Sequence, residues 1–155
     1  METMNLLTID NDFKVKRLRE NAIIPTRGSE DSAGLDLYAA IDSTVAILPG
    51  ESALIGTGVA FSIPRGIFGG IFARSGLATK ENLRPANCVG VCDSDYRGEY
   101  KVPIYNDSKE IRFITPNERI AQLIFLPFIF ADLTEVDSLD ETSRGAGGFG
   151  STGVL

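Results

Sequence analysis

The stretch N-C-V-G-V-C-D-S-D-Y-R-G-E-Y-K, from Asn87 to Lys101, decides how we interpret the fold of this chain. An apolar, strand-like run ends abruptly at Asp93, a polar bend containing Gly98 follows, and a second strand-like run begins at Glu99. Two short strands joined by a polar turn with glycine are typical of a β-hairpin. Carboxylates and a tyrosine on such a bend are equally consistent with an ordinary solvated loop.

Short runs of strand character continue in both directions from this stretch, separated by proline, glycine and asparagine. We predict strands at Phe13–Arg19, Leu35–Ala40, Thr44–Leu48, Ser52–Gly56, Val59–Ile63, Ile67–Ala73, Cys88–Cys92, Glu99–Tyr105, Ile111–Ile114, Arg119–Phe125 and Phe128–Val136. Strands at this close, regular spacing predict an all-β fold, a jelly-roll-like β-barrel. We expect at most one short helix, within Ser75 to Glu81.

The length of 155 residues suits one domain with its own hydrophobic core. We assign residues 1–140 to the β-barrel domain, because no linker divides them. After Asp140 the chain changes to Gly, Ser and Thr, with almost nothing apolar except Phe149. Such a segment cannot bury enough surface to fold alone, so we expect residues 141–155 to form a mobile C-terminal arm.

Composition excludes several classes of function. The net charge is −6, which argues against a nucleic-acid-binding protein that relies on a basic face. The chain has no histidine, which removes every mechanism built on imidazole. We see neither a secretory signal nor an apolar run long enough to span a bilayer. We therefore expect a cytoplasmic protein without membrane partners, or one in the nucleus or host cytosol if the source is viral.

The two cysteines do not predict a disulfide. In an extended strand Cys88 and Cys92 would lie about 13 Å apart, whereas a disulfide needs Cα atoms within about 7 Å. Alternation places both on one face of the strand, so we expect two small buried apolar side chains.

Four other unusual stretches surround the first one. They are A-G-L-D-L-Y-A (Ala33–Ala39), A-R-S-G-L-A (Ala73–Ala78), R-I-A-Q-L-I-F (Arg119–Phe125) and R-G-A-G-G-F-G-S-T-G (Arg144–Gly153). With G-V-C-D-S-D-Y-R-G-E, and in this order, they resemble the five sequence motifs of the trimeric dUTP pyrophosphatases, the dUTPases. The resemblance covers the chain from about Ala33 to its last residues.

Without histidine or a zinc site, the available chemistry is a carboxylate acting as general base toward water, with arginines, hydroxyls and Mg²⁺ holding phosphate. These parts suit in-line phosphoryl chemistry. The resemblance makes this specific: Mg²⁺-assisted hydrolysis of dUTP to dUMP and pyrophosphate, which lowers dUTP and supplies dUMP for thymidylate synthesis. It implies that Asp93 is the catalytic residue, which orients and deprotonates the water and contacts the sugar.

The resemblance also implies which residues bind the substrate, and that Mg²⁺ is held mainly by phosphates and water rather than by direct protein ligands. Tyr96 would pack under the deoxyribose, and the tail would close over the nucleotide. The implied substrate-binding residues are Arg74, Ser75, Gly76, Asn87, Gly90, Val91, Asp93, Tyr96, Lys101, Gln122, Arg144, Phe149, Gly150 and Ser151.

Two residues are implied in supporting roles. Asp36 matches a motif aspartate near the metal's water shell or the phosphate arginines, and Arg119 would brace the site. Cys92 stands where the family more often has isoleucine or valine, and Ala73 replaces a more usual proline. The resemblance further implies a homotrimer with shared active sites and an arm donated across an interface.

Several alternatives stay open on sequence alone. Asp36 would pass for a polar residue on an alternating strand, and the glycine tail for a disordered end. A dCTP deaminase shares the fold of this family and attacks the pyrimidine ring instead. A regulatory nucleotide-binding protein would keep the pocket and lose turnover.

Overall fold

The computed structural model describes residues 12–148, and within them the fold consists almost entirely of antiparallel strands. The strands are β1 (Lys14–Arg17), β2 (Thr26–Arg27), β3 (Leu35–Tyr38), β4 (Val45–Ile47), β5 (Ser52–Gly56), β6 (Val59–Ser62), β7 (Ile67–Phe72), β8 (Leu83–Pro85), β9 (Gly90–Cys92), β10 (Lys101–Asn106), β11 (Arg112–Ile114) and β12 (Arg119–Pro127). The all-β prediction is therefore confirmed.

A single helical turn of π type, Leu77–Glu81, lies between β7 and β8. It falls inside the predicted helical segment. Asn82 ends the turn in the left-handed conformation, with φ of 54°, and its N–H donates to the Leu77 carbonyl. Asparagine tolerates this conformation better than most residues, which explains why the turn stops there. No helix among residues 12–148 is long and apolar enough to cross a membrane.

Within residues 12–148 the strands form four separate sheets. The largest sheet has five strands in the order β2-β3-β12-β7-β9, and a second has three in the order β5-β10-β8. β1 pairs with β6, and β4 pairs with β11. Among the described residues the four sheets do not join into one continuously hydrogen-bonded barrel. They pack instead around a common hydrophobic core.

Alternation along the strands explains which side chains enter that core. In β10 the side chains of Val102, Ile104 and Asn106 are buried, while the residues between them reach the surface. In the five-stranded sheet Leu37 and Leu123 are fully buried. Because successive side chains of a strand point to opposite faces, the residues next to them project outward. The outward face of this sheet carries the polar side chains described below.

The hairpin predicted from Asn87 to Lys101 is wrong. β9 pairs with β7 in the five-stranded sheet, whereas β10 pairs with β5 and β8 in the three-stranded sheet. The segment between β9 and β10 is therefore a connection between two sheets. A polar bend with glycine between two short strands is compatible both with a hairpin turn within one sheet and with a loop between two sheets.

The strand predicted at Phe128–Val136 is also wrong. β12 continues to Pro127, and the residues after it pair with no strand of the described chain. Ile129 and Leu133 are 89% and 94% exposed, so nothing within residues 12–148 covers their side chains. An apolar run forms a strand only when a neighbouring strand supplies the ladder.

Cys88 corrects a third expectation, because it is exposed, and it lies before β9 with φ of 61°. Only Cys92 packs against the core, and both cysteines are free. β2 and β8 were not predicted. They contain only two and three residues, and β8 ends in a proline, which is typical of an edge strand.

Candidate active site

The outward face of the five-stranded sheet presents a row of polar side chains. Gln122 of β12 lies opposite Asp36 of β3 on one side and opposite Phe72 of β7 on the other. Residues directly opposite each other in antiparallel strands share a face. The register therefore brings Asp36 and Gln122 together, although 86 residues separate them in the sequence.

An irregularity in β12 adds Arg119 to the same face. The register with β3 shifts between Arg119 and Ala121, and both Ile120 and Ala121 are buried. In a regular strand, residues three apart point to opposite faces. The bulge inserts one extra residue, so Arg119 and Gln122 both face outward.

Asp36 holds two arginines. One carboxylate oxygen, Oδ1, accepts from Arg74 Nε at 2.8 Å, and the other, Oδ2, accepts from Arg119 Nη1 at 3.1 Å. The Asp36 side chain is only 13% exposed, so these charge-assisted bonds are partly shielded from water. Arg74 Nη1 also donates to the Arg119 carbonyl at 3.2 Å. The guanidinium groups are thus oriented while retaining unused donors.

Gln122 is fixed by a separate contact. Its Nε2 donates to the Ala73 carbonyl at 2.9 Å. Gly34 lies directly against the other side of the amide, because a Cβ at that position would stand 2.5 Å from Gln122 Oε1. Only glycine leaves this space for the side chain.

We call Asp36, Arg74, Arg119 and Gln122 the arginine cluster. It lines a shallow, mostly polar depression of about 210 Å³, which Ser75 and Gly76 also border. Cationic groups, a hydroxyl and an amide around an open polar depression suit an anion.

A second depression opens beside the loop that follows β9. Its volume is about 360 Å³, and Val91, Asp93, Tyr96 and Lys101 are among its lining residues. We call it the Asp93 cleft. The Asp93 carboxylate is exposed and forms no hydrogen bond or ion pair with a described residue. It remains available to an incoming molecule.

The base of the cleft is formed by an edge strand. β9 is the last strand of its sheet, so one side of Gly90–Cys92 has no strand partner within the described chain. An unpaired strand edge exposes backbone N–H and C=O groups in a fixed order. The Asn87 side chain lies next to Gly90, with its Nδ2 at 3.4 Å from where a Cβ would be.

Glu99 was not predicted as a site residue, yet it anchors the loop that carries Asp93 and Tyr96. Its side chain is 12% exposed, and Oε1 accepts from the Gly58 N–H at 2.8 Å. Its Oε2 accepts from Arg19 Nη2 at 3.1 Å. These contacts link the loop to the β5–β6 turn. No local sequence pattern indicated these contacts, because a glutamate after glycine fits any solvated bend.

Tyr96 projects from this loop and is 46% exposed. Its hydroxyl donates to the Glu99 carbonyl at 3.2 Å. Behind it an aromatic row crosses the core, with ring centroids 6.0 Å apart for Tyr96 and Tyr100, and 4.7 Å for Tyr100 and Phe61. Phe125 and Phe13 continue the row at 6.0 Å and 4.6 Å.

Two titratable groups lie beneath the cleft. Burial raises the pKa of the Cys92 thiol to about 11, and contact with the Tyr100 hydroxyl only partly offsets this effect. Burial likewise raises the pKa of Tyr100, with the neighbouring Cys92 adding to the shift. Both groups therefore stay neutral at physiological pH. Neither supplies a charge to the cleft.

The arginine cluster and the Asp93 cleft do not meet within one chain. Gly69 of β7 lies opposite Cys92, next to Asp93, while Arg74 follows the other end of β7. Five residues of strand span about 17 Å. The Arg74 side chain also turns toward Asp36 on β3 and away from β9.

Arg144 is the one predicted tail residue that the structure describes, and it contacts neither cluster. Arg144 is exposed, and its Nε donates to the Gly147 carbonyl at 2.8 Å. Phe149, Gly150 and Ser151 lie outside the described residues.

The chain is similar to known proteins of one family. The family model described as dUTPase matches residues 20–153. The deoxyuridine 5'-triphosphate nucleotidohydrolase of Nautilia profundicola is 49% identical over 141 residues, covering 91% of this chain and 98% of that protein. The enzyme of the same name from Arabidopsis thaliana is 49% identical over 146 residues, covering 92% and 83%.

Solved structures agree with this relationship. A mutant of the Staphylococcus bacteriophage 80alpha dUTPase, bound to dUpNHpp, superposes with a TM-score of 0.81 at 32% identity, covering 94% of this chain and all of that one. A mutant dUTPase from phage phi11 of S. aureus, in which coordination of a structural Mg(II) ion is described, gives a TM-score of 0.74 at 30% identity and covers 84% of this chain and all of that one.

Proposed function

Because this chain belongs to the dUTPase family, we propose that it hydrolyses dUTP to dUMP and pyrophosphate by attack of an activated water on the α-phosphorus. The reaction lowers dUTP and supplies dUMP for thymidylate synthesis. The exposed Asp93 carboxylate at the mouth of the cleft is the observation that carries the proposal. A carboxylate with a free face can accept the proton of an attacking water.

The Asp93 cleft binds the nucleoside in this proposal. Uracil pairs with backbone groups along the free edge of β9, from Gly90 to Val91, and with the backbone at Lys101, while the Asn87 amide assists. A fixed order of donors and acceptors rejects cytosine, since the wrong edge leaves buried groups unpaired. Tyr96 packs against the deoxyribose and leaves no room for a 2′-hydroxyl.

The arginine cluster binds the triphosphate. Asp36 holds Arg74 and Arg119 before substrate arrives, and Gln122 is fixed by the Ala73 carbonyl. Donors that are already oriented need little rearrangement when charge develops on the phosphate oxygens. Ser75 and Gly76 add a hydroxyl and a backbone amide at the edge of the depression.

Mg²⁺ accompanies the substrate in this scheme, and when bound it neutralises phosphate charge and orients the α-phosphorus. The residues present fit an ion held mainly by phosphates and water. Both Asp36 oxygens are committed to arginines, whereas Asp93 and Asp95 lie exposed and carry no ion pair to a described residue. No group of three potential metal-ligating side chains forms among residues 12–148.

The separation of the two clusters supports an active site shared between copies of the chain. A base must lie within hydrogen-bond reach of the attacking water, and about 17 Å of strand separates Asp93 from Arg74. We therefore propose a homotrimer in which the Asp93 cleft of one copy faces the arginine cluster of another. The resemblance to the trimeric dUTP pyrophosphatases implies the same assembly.

The segment after β12 supports the same assembly. Ile129, Leu133 and Leu139 are 89%, 94% and 84% exposed. Large apolar side chains gathered on one segment mark a surface that contacts another protein. We propose that this segment lies on a neighbouring copy and delivers the arm of residues 141–155. Arg144, Phe149, Gly150 and Ser151 would then close over the nucleotide and exclude water.

Pyrophosphate release measured with dUTP, UTP, dTTP and dCTP, each with Mg²⁺ or with EDTA, tests the function. We expect rapid release from dUTP with Mg²⁺, a strong decrease with EDTA, and little release from the other three nucleotides. Ammonia released from dCTP would point to a deaminase instead. Tight dUTP binding without turnover would point to a regulatory protein.

A further inference from the structure

Tyr100 lies directly behind Tyr96, the side chain that packs against the deoxyribose in the proposed function. Resting on the function proposed above, we propose that Tyr100 is a positioning residue, whose ring holds Tyr96 in place and thereby sets the discrimination between deoxyribose and ribose. The backbone of Tyr100 fixes the residue in place and its ring supports Tyr96, whereas its hydroxyl has little part in this role.

The backbone of Tyr100 is fixed by the β5–β6 turn. Its N–H donates to the Val59 carbonyl at 2.9 Å. Its carbonyl accepts from both the N–H and the Oγ1 of Thr57, at 3.2 Å and 2.5 Å. Thr57 is buried, so these bonds are shielded from water. Tyr100 is therefore a rigid point beside a loop whose other residues are largely exposed.

The ring of Tyr100 transmits this rigidity to Tyr96. It is 1% exposed and stands between Phe61 and Tyr96, at centroid distances of 4.7 Å and 6.0 Å. Gly98 packs against the Tyr96 ring, since a Cβ there would collide with its hydroxyl. Among the described residues the Tyr96 side chain has one hydrogen bond, to the Glu99 carbonyl. The orientation of its ring thus depends on the aromatic surface behind it.

The hydroxyl of Tyr100 contributes little to this role. It is buried without a hydrogen-bond partner in the described chain. The Cys92 thiol affects the pKa of Tyr100, but its geometry provides no hydrogen bond to the hydroxyl. Gly69 leaves room for the hydroxyl, because a Cβ there would lie 3.2 Å from it. A buried hydroxyl without a partner destabilises a fold, so the ring alone explains the position.

Positioning by the ring makes two variants of one residue behave differently. Tyr100→Phe keeps the ring and removes the unpartnered hydroxyl. Tyr100→Leu removes the ring and keeps an apolar side chain. The measurement is the ratio of kcat/KM for dUTP to kcat/KM for UTP, on one preparation of each full-length variant. The fraction of folded enzyme cancels in this ratio, so partial unfolding of Tyr100→Leu does not hide the result.

We expect Tyr100→Leu to lower the dUTP/UTP ratio about tenfold, since a loosened wall rejects an added hydroxyl less strongly. Tyr100→Phe should keep the parental ratio and a melting temperature at least as high. Tyr105→Leu is the matched control, because Tyr105 lies on β10, the strand that directly follows Tyr100, stacks under Arg84 and does not line the cleft. It should keep the parental ratio.

The inference is overturned if Tyr100→Leu keeps the parental ratio while Tyr96→Leu lowers it. It is also overturned if Tyr100→Phe loses discrimination as fully as Tyr100→Leu, because the hydroxyl would then be responsible. A parental chain that does not hydrolyse dUTP overturns the proposed function first, and the inference with it. The two failures are thus distinguished by the parental enzyme alone.

Discussion

The arginine cluster and the Asp93 cleft differ in how many of their contacts are complete within one chain. In the arginine cluster every polar side chain has a partner: Asp36 binds Arg74 and Arg119, and Gln122 binds the Ala73 carbonyl. In the cleft the Asp93 carboxylate has no such partner among the described residues. The contrast indicates a division between charges that are oriented in advance and a carboxylate that is left free.

The difference follows from where each cluster lies in the fold. The arginine cluster sits on the face of a five-stranded sheet, where neighbouring strands supply partners at short range. Asp93 follows an edge strand and begins a connection between sheets, where no neighbouring strand of the described chain supplies a partner. Loops on a rigid scaffold are common places for catalytic groups for this reason.

Replacing the proposed base, Asp93, should have the largest effect. Asp93→Asn keeps the shape of the side chain and removes its ability to take a proton, so kcat for dUTP should fall by roughly 10²–10⁴-fold. Nucleotide binding and melting temperature should change little, because the carboxylate has no structural partner to lose. Asp95→Asn, two residues along the same loop, is the control and should keep most of the activity. Parental turnover in Asp93→Asn would assign the base elsewhere.

Breaking the oriented cluster should have an intermediate effect that appears in binding. Asp36→Asn leaves Arg74 and Arg119 without their shared carboxylate, so we expect KM for dUTP to rise about tenfold through misplaced donors. The free energy of unfolding should also fall, since a partly buried pair loses one member.

The control for Asp36→Asn is Asp107→Asn. Asp107 also accepts two bonds from one arginine, Arg84, but that pair is 36% and 41% exposed. Water screens an exposed pair of this kind, and neither member lines the arginine-cluster depression, so KM should stay at the parental value. If Asp36→Asn and Asp107→Asn raised KM equally, the arginine cluster would have no particular role in binding dUTP.

Crowding Gln122 should have the smallest effect of the three. A Cβ at Gly34 would lie 2.5 Å from Gln122 Oε1, so Gly34→Ala must displace the amide. We expect a severalfold loss of kcat/KM and about 1–3 kcal/mol less stability in denaturant unfolding. Gly28→Ala, where a Cβ would meet only Ser32 Oγ at 3.8 Å, should be nearly neutral. A neutral Gly34→Ala would show that Gln122 can move without loss.

The sequence predicted most of the strands, because their residues alternate and turn residues separate them. It did not predict how they pair. The segment from Asn87 to Lys101 has the local pattern of a hairpin, and only the rest of the chain decides that β9 joins β7 while β10 joins β5. Similarly, the apolar run from Phe128 to Val136 has strand character without a strand beside it.

The candidate site was predictable as a set of residues but not as an arrangement. Asp36 was expected near either the metal's water shell or the phosphate arginines, and its two bonds to arginines favour the second. The bulge that turns Arg119 toward Gln122 depends on the register with β3, which no local pattern encodes. Glu99 and Tyr100 were missed because their partners, Gly58 and Phe61, are about 40 residues away.

In the shared-site proposal, strand β7 acts as a spacer that keeps Asp93 away from Arg74 of the same copy. Two inactive variants, one altered at Asp93 and the other at Arg74, each still carry the half that the other has lost. If the two variants are refolded together, mixed assemblies should regain turnover. It should return at interfaces where the intact Asp93 cleft of one copy faces the intact arginine cluster of another. Diluting the parental enzyme until its copies separate would abolish turnover while every chain stayed folded.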